Sequence, residues 1–138
     1  ILSLEITGYV AVDHKGSFTA EPGANILVSQ FSNWKNAESF ALPLNTHYVT
    51  IEVERKNNFK GGILAEFSNG YVTDSSWQCS DINSTAKSSW PVAQEVATND
   101  GQDSRWSKVV SNIANHAKWI WTANTQDNKI WCQKEFGG

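Results

Sequence analysis

The sequence predicts an all-β fold, a jelly-roll β-sandwich of about eight antiparallel strands in a single domain spanning residues 1–138. Period-two alternation of apolar and polar residues dominates the chain, and strong turn chemistry recurs about every 8–12 residues. No heptad pattern, low-complexity tract or linker-like stretch interrupts it.

The elements follow in order. Leu4, Ile6 and residues 9–12 read as an opening strand, with Gly8 placed as a β-bulge. Residues 16–20 and 26–31 read as a hairpin closed by Glu21-Pro22-Gly23-Ala24-Asn25, because Pro presets φ and Gly takes a positive φ. Residues 39–44 and 47–54 form the next pair, turned at Pro43-Leu44-Asn45-Thr46. Within it Val49, Ile51 and Val53 alternate with Thr50, Glu52 and Glu54, so one face is buried and the other wet. Residues 62–67 and 71–73 are joined by Ser68-Asn69-Gly70, whose Asn-Gly is a hairpin signal. Residues 119–122 and 129–134 read as a closing pair. Residues 80–102 are polar and irregular, and 108–117 fits a short helix or a strand equally well.

Composition bounds the function. Of 138 residues, 40% are hydrophobic and 18% charged, which is globular and not disordered. The net charge is −3 and the 11 Lys and Arg are scattered singly, so no basic stripe exists to neutralise nucleic-acid phosphates. Apolar runs are too short to span a membrane. With no methionine, even at position 1, the sequence reads as trimmed, by loss of a secretory signal or by excision from a longer chain. Cys79 and Cys132 are expected to pair as in secreted chains, closing a loop of roughly 50 residues worth about 4 kcal/mol. Two buried free thiols are the alternative. One sequon, Asn83-Ser84-Thr85, makes Asn83 a glycosylation candidate.

Catalytic signatures are missing. The histidines His14, His47 and His116 lack zinc-type spacing, and no nucleophile elbow, phosphate loop or dinucleotide fingerprint occurs. No local pattern singles out a carboxylate pair among the 14 acidic residues, so the expectation is a non-enzymatic protein. Tryptophan is unusual, with seven residues, at 34, 77, 90, 106, 119, 121 and 131. An indole offers an apolar face on which a pyranose stacks while neighbouring amides and carboxylates bond its hydroxyls. Trp119, Trp121 and Trp131 lie in predicted strands and read as packing, the first two on one face. Trp34, Trp77, Trp90 and Trp106 sit in polar, loop-like contexts. A short echo links Asp74-Ser75-Ser76-Trp77 to Asp103-Ser104-Arg105-Trp106.

Strand reversal places alternate loops at one end of a sandwich. On the predicted pairing, that end gathers Asp13, His14, Asn33, Trp34, Asn57, Asn58, Lys60 and Asp74 as a ligand-binding rim. Asn and Asp also collect in turns for conformational reasons alone.

Several stretches together resemble the galactose-binding-domain-like superfamily, which includes discoidin-type lectins and carbohydrate-binding modules. They are Asn33-Trp34, Asn57-Asn58, Gly62-Ile63-Leu64-Ala65, Asp74-Ser75-Ser76-Trp77, Ala117-Lys118-Trp119-Ile120-Trp121 and Ile130-Trp131-Cys132, in order from about Gly8 to Phe136. The turn at 21–25 departs from the Asn-Gly common there. The resemblance implies a jelly roll that binds galactose-type or related glycans through loops at one end. It also raises a structural calcium, although no Asp-rich calcium loop stands out. The expected protein is a secreted lectin, homo-oligomeric because linked weak sites gain avidity, with Trp34 as stacking platform. A structural or adhesive extracellular module, or an accessory domain of a glycosidase, are the alternatives.

Overall fold

The structure, a computed structural model, describes residues 5–21 and 33–137. Its strands are β1 (Glu5–Asp13), β2 (Lys15–Glu21), β3 (Glu38–Pro43), β4 (Tyr48–Glu54), β5 (Gly62–Phe67), β6 (Gln78–Ser80), β7 (Gln94–Thr98), β8 (Lys118–Trp121) and β9 (Lys129–Glu135). They form two antiparallel sheets, one ordered β3-β1-β5-β8-β7 and one ordered β2-β4-β9-β6. The all-β sandwich is as expected, with nine strands among the described residues where the sequence predicts about eight. Among the described residues the one helical element is a 3-10 turn at Lys87–Ser89.

Alternation sets the interior. Val49, Ile51 and Val53 of β4 point inward against Val10, Val12, Ile63, Ala65 and Phe67 of the first sheet, all essentially inaccessible. Phe18, Phe40 and Phe67 meet at centroid distances of 5.0 to 6.0 Å. Burying each such side chain contributes roughly 1.5–3 kcal/mol, which is what holds the two sheets together.

A second cluster lies on the far side of the first sheet. The long connection 99–117 folds back over it, and Trp106, Val110, Ile113 and Ala117 cover Ala11, Leu64 and Trp119. Buried Asn99 organises that connection, accepting from the Val110 N–H at 2.8 Å and donating to the Ile113 carbonyl at 3.0 Å. Two turns, with Asn112 at φ 72°, replace the helix or strand entertained for 108–117. The stacked indoles leave no room for a side chain beneath them: a Cβ at Gly62 would lie 2.7 Å from Trp106 and 2.8 Å from Trp119. Gly62→Ala should therefore destabilise the fold by about 1–3 kcal/mol through overpacking, read as a lower midpoint in urea unfolding with unchanged slope.

Several pairings differ from the sequence reading. β3 pairs with β1, and β4 with β2 and β9, so 44–47 crosses between sheets and closes no hairpin. The connection 122–128 likewise carries the chain from β8 in one sheet to β9 in the other. Gly8 pairs in register with Phe40 and Phe67, so no bulge forms there. The stretch 80–102 contains the edge strand β7. The turn and strand expected at 22–31 lie outside the described residues. The 68–70 turn forms as expected, with Gly70 at φ 96° and the Phe67 N–H bonded to the Tyr71 carbonyl at 2.8 Å. Cys79 and Cys132 form a disulfide between directly opposed residues of β6 and β9.

Candidate functional site

Most of the predicted rim does share one end. Asp13 pairs with Gly62, Lys15 with Glu54, and Glu54 with Lys129, so the β1–β2, β4–β5 and β8–β9 connections converge there. Arg55 ties two of them together, donating to the carbonyls of Asp127, Gln126 and Phe59 at 3.1, 3.0 and 3.2 Å. Asn57, Asn58 and Lys60 are exposed on this end, Asn58 in the left-handed region at φ 71° that asparagine tolerates. His14 is half-buried. Asn33 and Trp34 lead into β3 at the same end. The Asn33 carboxamide caps the Lys35 N–H at 3.1 Å, and Trp34 is half-buried, edge-on to Trp119 at 6.1 Å.

Two rim residues behave otherwise. Asp13 is buried, and its Oδ2 accepts from Arg105 Nη2 at 2.6 Å and from Trp106 Nε1 at 3.2 Å, so its carboxylate holds the roof of the outer cluster. Asp74 is not on that end. It opens the crossover to β6 along the flank, where the Ser75 N–H meets Glu95 at 2.9 Å and Lys134 meets Ser76 Oγ at 2.9 Å. The chain makes a bridge at Val72 and then leaves the first sheet, so no full strand returns Asp74 to the rim.

Burial raises the Asp13 carboxyl above its ordinary 3.8, outweighing Arg105, Trp106 and His14, which lower it. The folded chain thus keeps this proton to higher pH than the unfolded chain. The group's contribution to stability is largest below 3.8 and declines as pH rises through the folded value. Melting temperatures of the wild type and Asp13→Asn, compared from below 3.8 to neutral pH, should move in favour of the variant as pH rises.

Three adjoining clefts lined by polar side chains and rings lie on the outer face of the second sheet. A cleft of about 560 Å³ is walled by Tyr48, Gln78, Gln133 and Glu135 from the strands and by 85–88 from the loop above. Its neighbour, of about 200 Å³, is lined by Thr19, Thr50, Glu52, Asn83, Lys87 and Trp131. A third, of about 180 Å³, continues between Lys15, Ser17, Glu54 and Lys129.

Strand parity puts these residues here. Ile130 and Cys132 are buried, so Trp131 between them faces outward. It is half-buried and lines the second cleft, with its Nε1 donating to Glu52 at 2.8 Å and the Lys129 ammonium 5.8 Å from its ring centroid. The loop is fixed by amides: Gln78 donates to the carbonyls of Ser88 and Trp90 at 3.2 and 3.0 Å, and Gln133 donates to Gln78 Oε1 at 2.9 Å. Gln133 Oε1 is buried and has no partner among the described residues. Lys87 crosses the face to Glu21 and Thr50, each at 3.3 Å. The Tyr48 phenol donates to Glu135 Oε2 at 3.3 Å, and the charge of Glu135 raises its pKa above the ordinary value. Asn83 is exposed at the lip, with the sequon's Ser84 accepting from Trp90 Nε1 at 3.0 Å.

The sequence reading placed Trp131 in packing and omitted Tyr48, Lys87, Gln78 and Gln133. Trp119 joins the outer cluster and Trp121 the inner one, so they do not pack as one face. Trp77, Trp90 and Trp106 are buried. Among the described residues no three His, Cys, Asp or Glu side chains gather as metal ligands, so the calcium raised by the resemblance finds no such donor set. No helix among them is long and apolar enough to cross a membrane. No protein-family model matches this chain, and neither a curated protein nor a solved structure does.

Proposed function

We propose that the chain is a secreted, non-catalytic glycan-binding domain whose site is the grooved outer face of the second sheet. The observation that carries this reading is an open groove that sets the half-buried Trp131 ring among hydroxyl, amide and carboxylate groups. Such a mixture suits a sugar, whose apolar ring face stacks on an indole while its hydroxyls both donate and accept. The resemblance to galactose-binding-like sandwiches points to the same ligand class. The disulfide fits an oxidising compartment. A single open site binds weakly, so a homo-oligomer, most simply a two-fold dimer, is the form that would gain avidity.

A glycan array probed with the wild type, Trp131→Ala and Trp34→Ala, with and without calcium, tests this. Wild type should bind, Trp131→Ala should lose about tenfold in affinity, and Trp34→Ala should bind as wild type does. Loss confined to Trp34→Ala would move the site to the loop end, and no binding by the wild type would remove the lectin reading.

A further inference from the structure

We propose that the groove takes an extended, uncharged polysaccharide lying along its length, and not a terminal galactose-type residue. This rests on the glycan-binding reading. Three features on the page select the ligand.

Continuity comes first. Ser17 and Glu52 line both the smallest and the middle cleft, and Glu21 and Lys87 line both the middle and the widest. The three are therefore parts of one groove running from the Lys15–Glu54 end of the sheet toward Glu135. β4, which forms its floor, has seven residues, a span of roughly 20 Å at about 3.3 Å per residue.

The two rings are spaced for a chain. Trp131 stands opposite Glu52 and Tyr48 opposite Glu135, so they are four residues apart along the paired strands. That is about 13 Å, too far for one pyranose to touch both. The even spacing keeps both on the outer face. Each ring would therefore serve a different sugar of the same chain.

Charge disfavours the acidic glycans. The carboxylates of the groove are Glu21, Glu52, Glu54 and Glu135. Lys87, Lys129 and Lys15 lie 3.3, 3.6 and 3.8 Å from the first three, and His47 lies 3.1 Å from Glu135. Each of the three ammonium groups is already ion-paired, so a sulfate or uronate would have to compete with a carboxylate for it. With His47 neutral, four carboxylates against three ammonium groups leave a surplus of one negative charge, which disfavours such groups.

The test uses the whole chain carrying Asn83→Gln, so that no sugar on the sequon obscures the groove. Affinity electrophoresis through gels containing galactan, mannan, xylan or hydroxyethyl cellulose, and through heparin and alginate, is followed by calorimetry. Calorimetry titrates galactose and the oligosaccharide series of whichever neutral polymer retards the protein. At least one neutral polymer should retard it and neither acidic one should. Affinity should rise about tenfold or more from disaccharide to hexasaccharide. Tyr48→Ala should remove most of that gain, and Trp131→Phe should retain more of it than Trp131→Ala. Circular dichroism confirms that each variant is folded. Galactose binding as tightly as the long chain, or retardation by heparin, would overturn the proposal and leave the glycan-binding reading standing. No retardation by any polymer together with no galactose binding would remove both.

Discussion

Removing the Cys79–Cys132 bridge should cost the fold about 4 kcal/mol, the entropy regained by an unfolded chain freed of a loop closed over 53 residues. The bridge joins opposed residues of β6 and β9, and β6 is a three-residue strand. A strand that short has few ladder bonds of its own, so the covalent tie also fixes where the crossover from Asp74 lands. The double variant Cys79→Ala/Cys132→Ala, unfolded in guanidinium beside the oxidised wild type, should show a midpoint lowered by that amount divided by the slope. The consequence reaches the groove. Gln78, beside Cys79, holds the 87–90 loop through two carbonyls, so losing the bridge should also weaken glycan binding. A midpoint unchanged within error would mean that the sheet pairing alone positions β6.

The face that β4 buries was legible, and its partners were not. Val49, Ile51 and Val53 announce an inward face by alternation, and the structure buries all three. Alternation says nothing of which strand lies alongside, however, and Pro43-Leu44-Asn45-Thr46 turns a chain equally well within a sheet or between two. The convergence of the 13–14 and 55–61 connections survived this error for a physical reason. Each connection reverses the chain whether or not it changes sheet, so its end of the sandwich depends on parity alone. Asp74 escaped the parity because 71–73 makes one bridge and no full strand. Trp131 could have been placed outward from the sequence, since a paired, buried Cys132 next to it fixes the parity of the strand.

The short echo between the two Asp-x-x-Trp stretches proves to be a shared device. Asp74 Oδ1 accepts from the Ser76 N–H at 2.8 Å, and Asp103 Oδ1 accepts from the Arg105 N–H at 2.7 Å. Each is an Asx turn that swings the tryptophan three residues on into the protein. There Trp77 Nε1 donates to the Val72 carbonyl at 2.9 Å, and Trp106 Nε1 to Asp13.

Trp106→Ala should be the more damaging single substitution, costing about 3–5 kcal/mol. The indole is 1% exposed and stacks on Trp119 at 4.9 Å with an interplanar angle of 11°. It also packs directly on Gly62, where a Cβ would lie 2.7 Å from the ring. Its loss removes one hydrogen bond from the buried Asp13 carboxylate, whose remaining side-chain partner is Arg105. Arg105 in turn rests on the half-exposed Phe59 ring at 4.5 Å, so the disturbance should spread to the 55–61 connection. The groove lies on the other sheet and shares none of these contacts. Urea unfolding should therefore show the full loss, and amide exchange should rise in 99–117 and around Asn57 and Asn58. Sugar affinity per folded molecule should stay unchanged. Had the loop end been the binding surface, Trp106→Ala would cut affinity and stability together, so measuring both on one variant separates the two locations without knowing the sugar in advance.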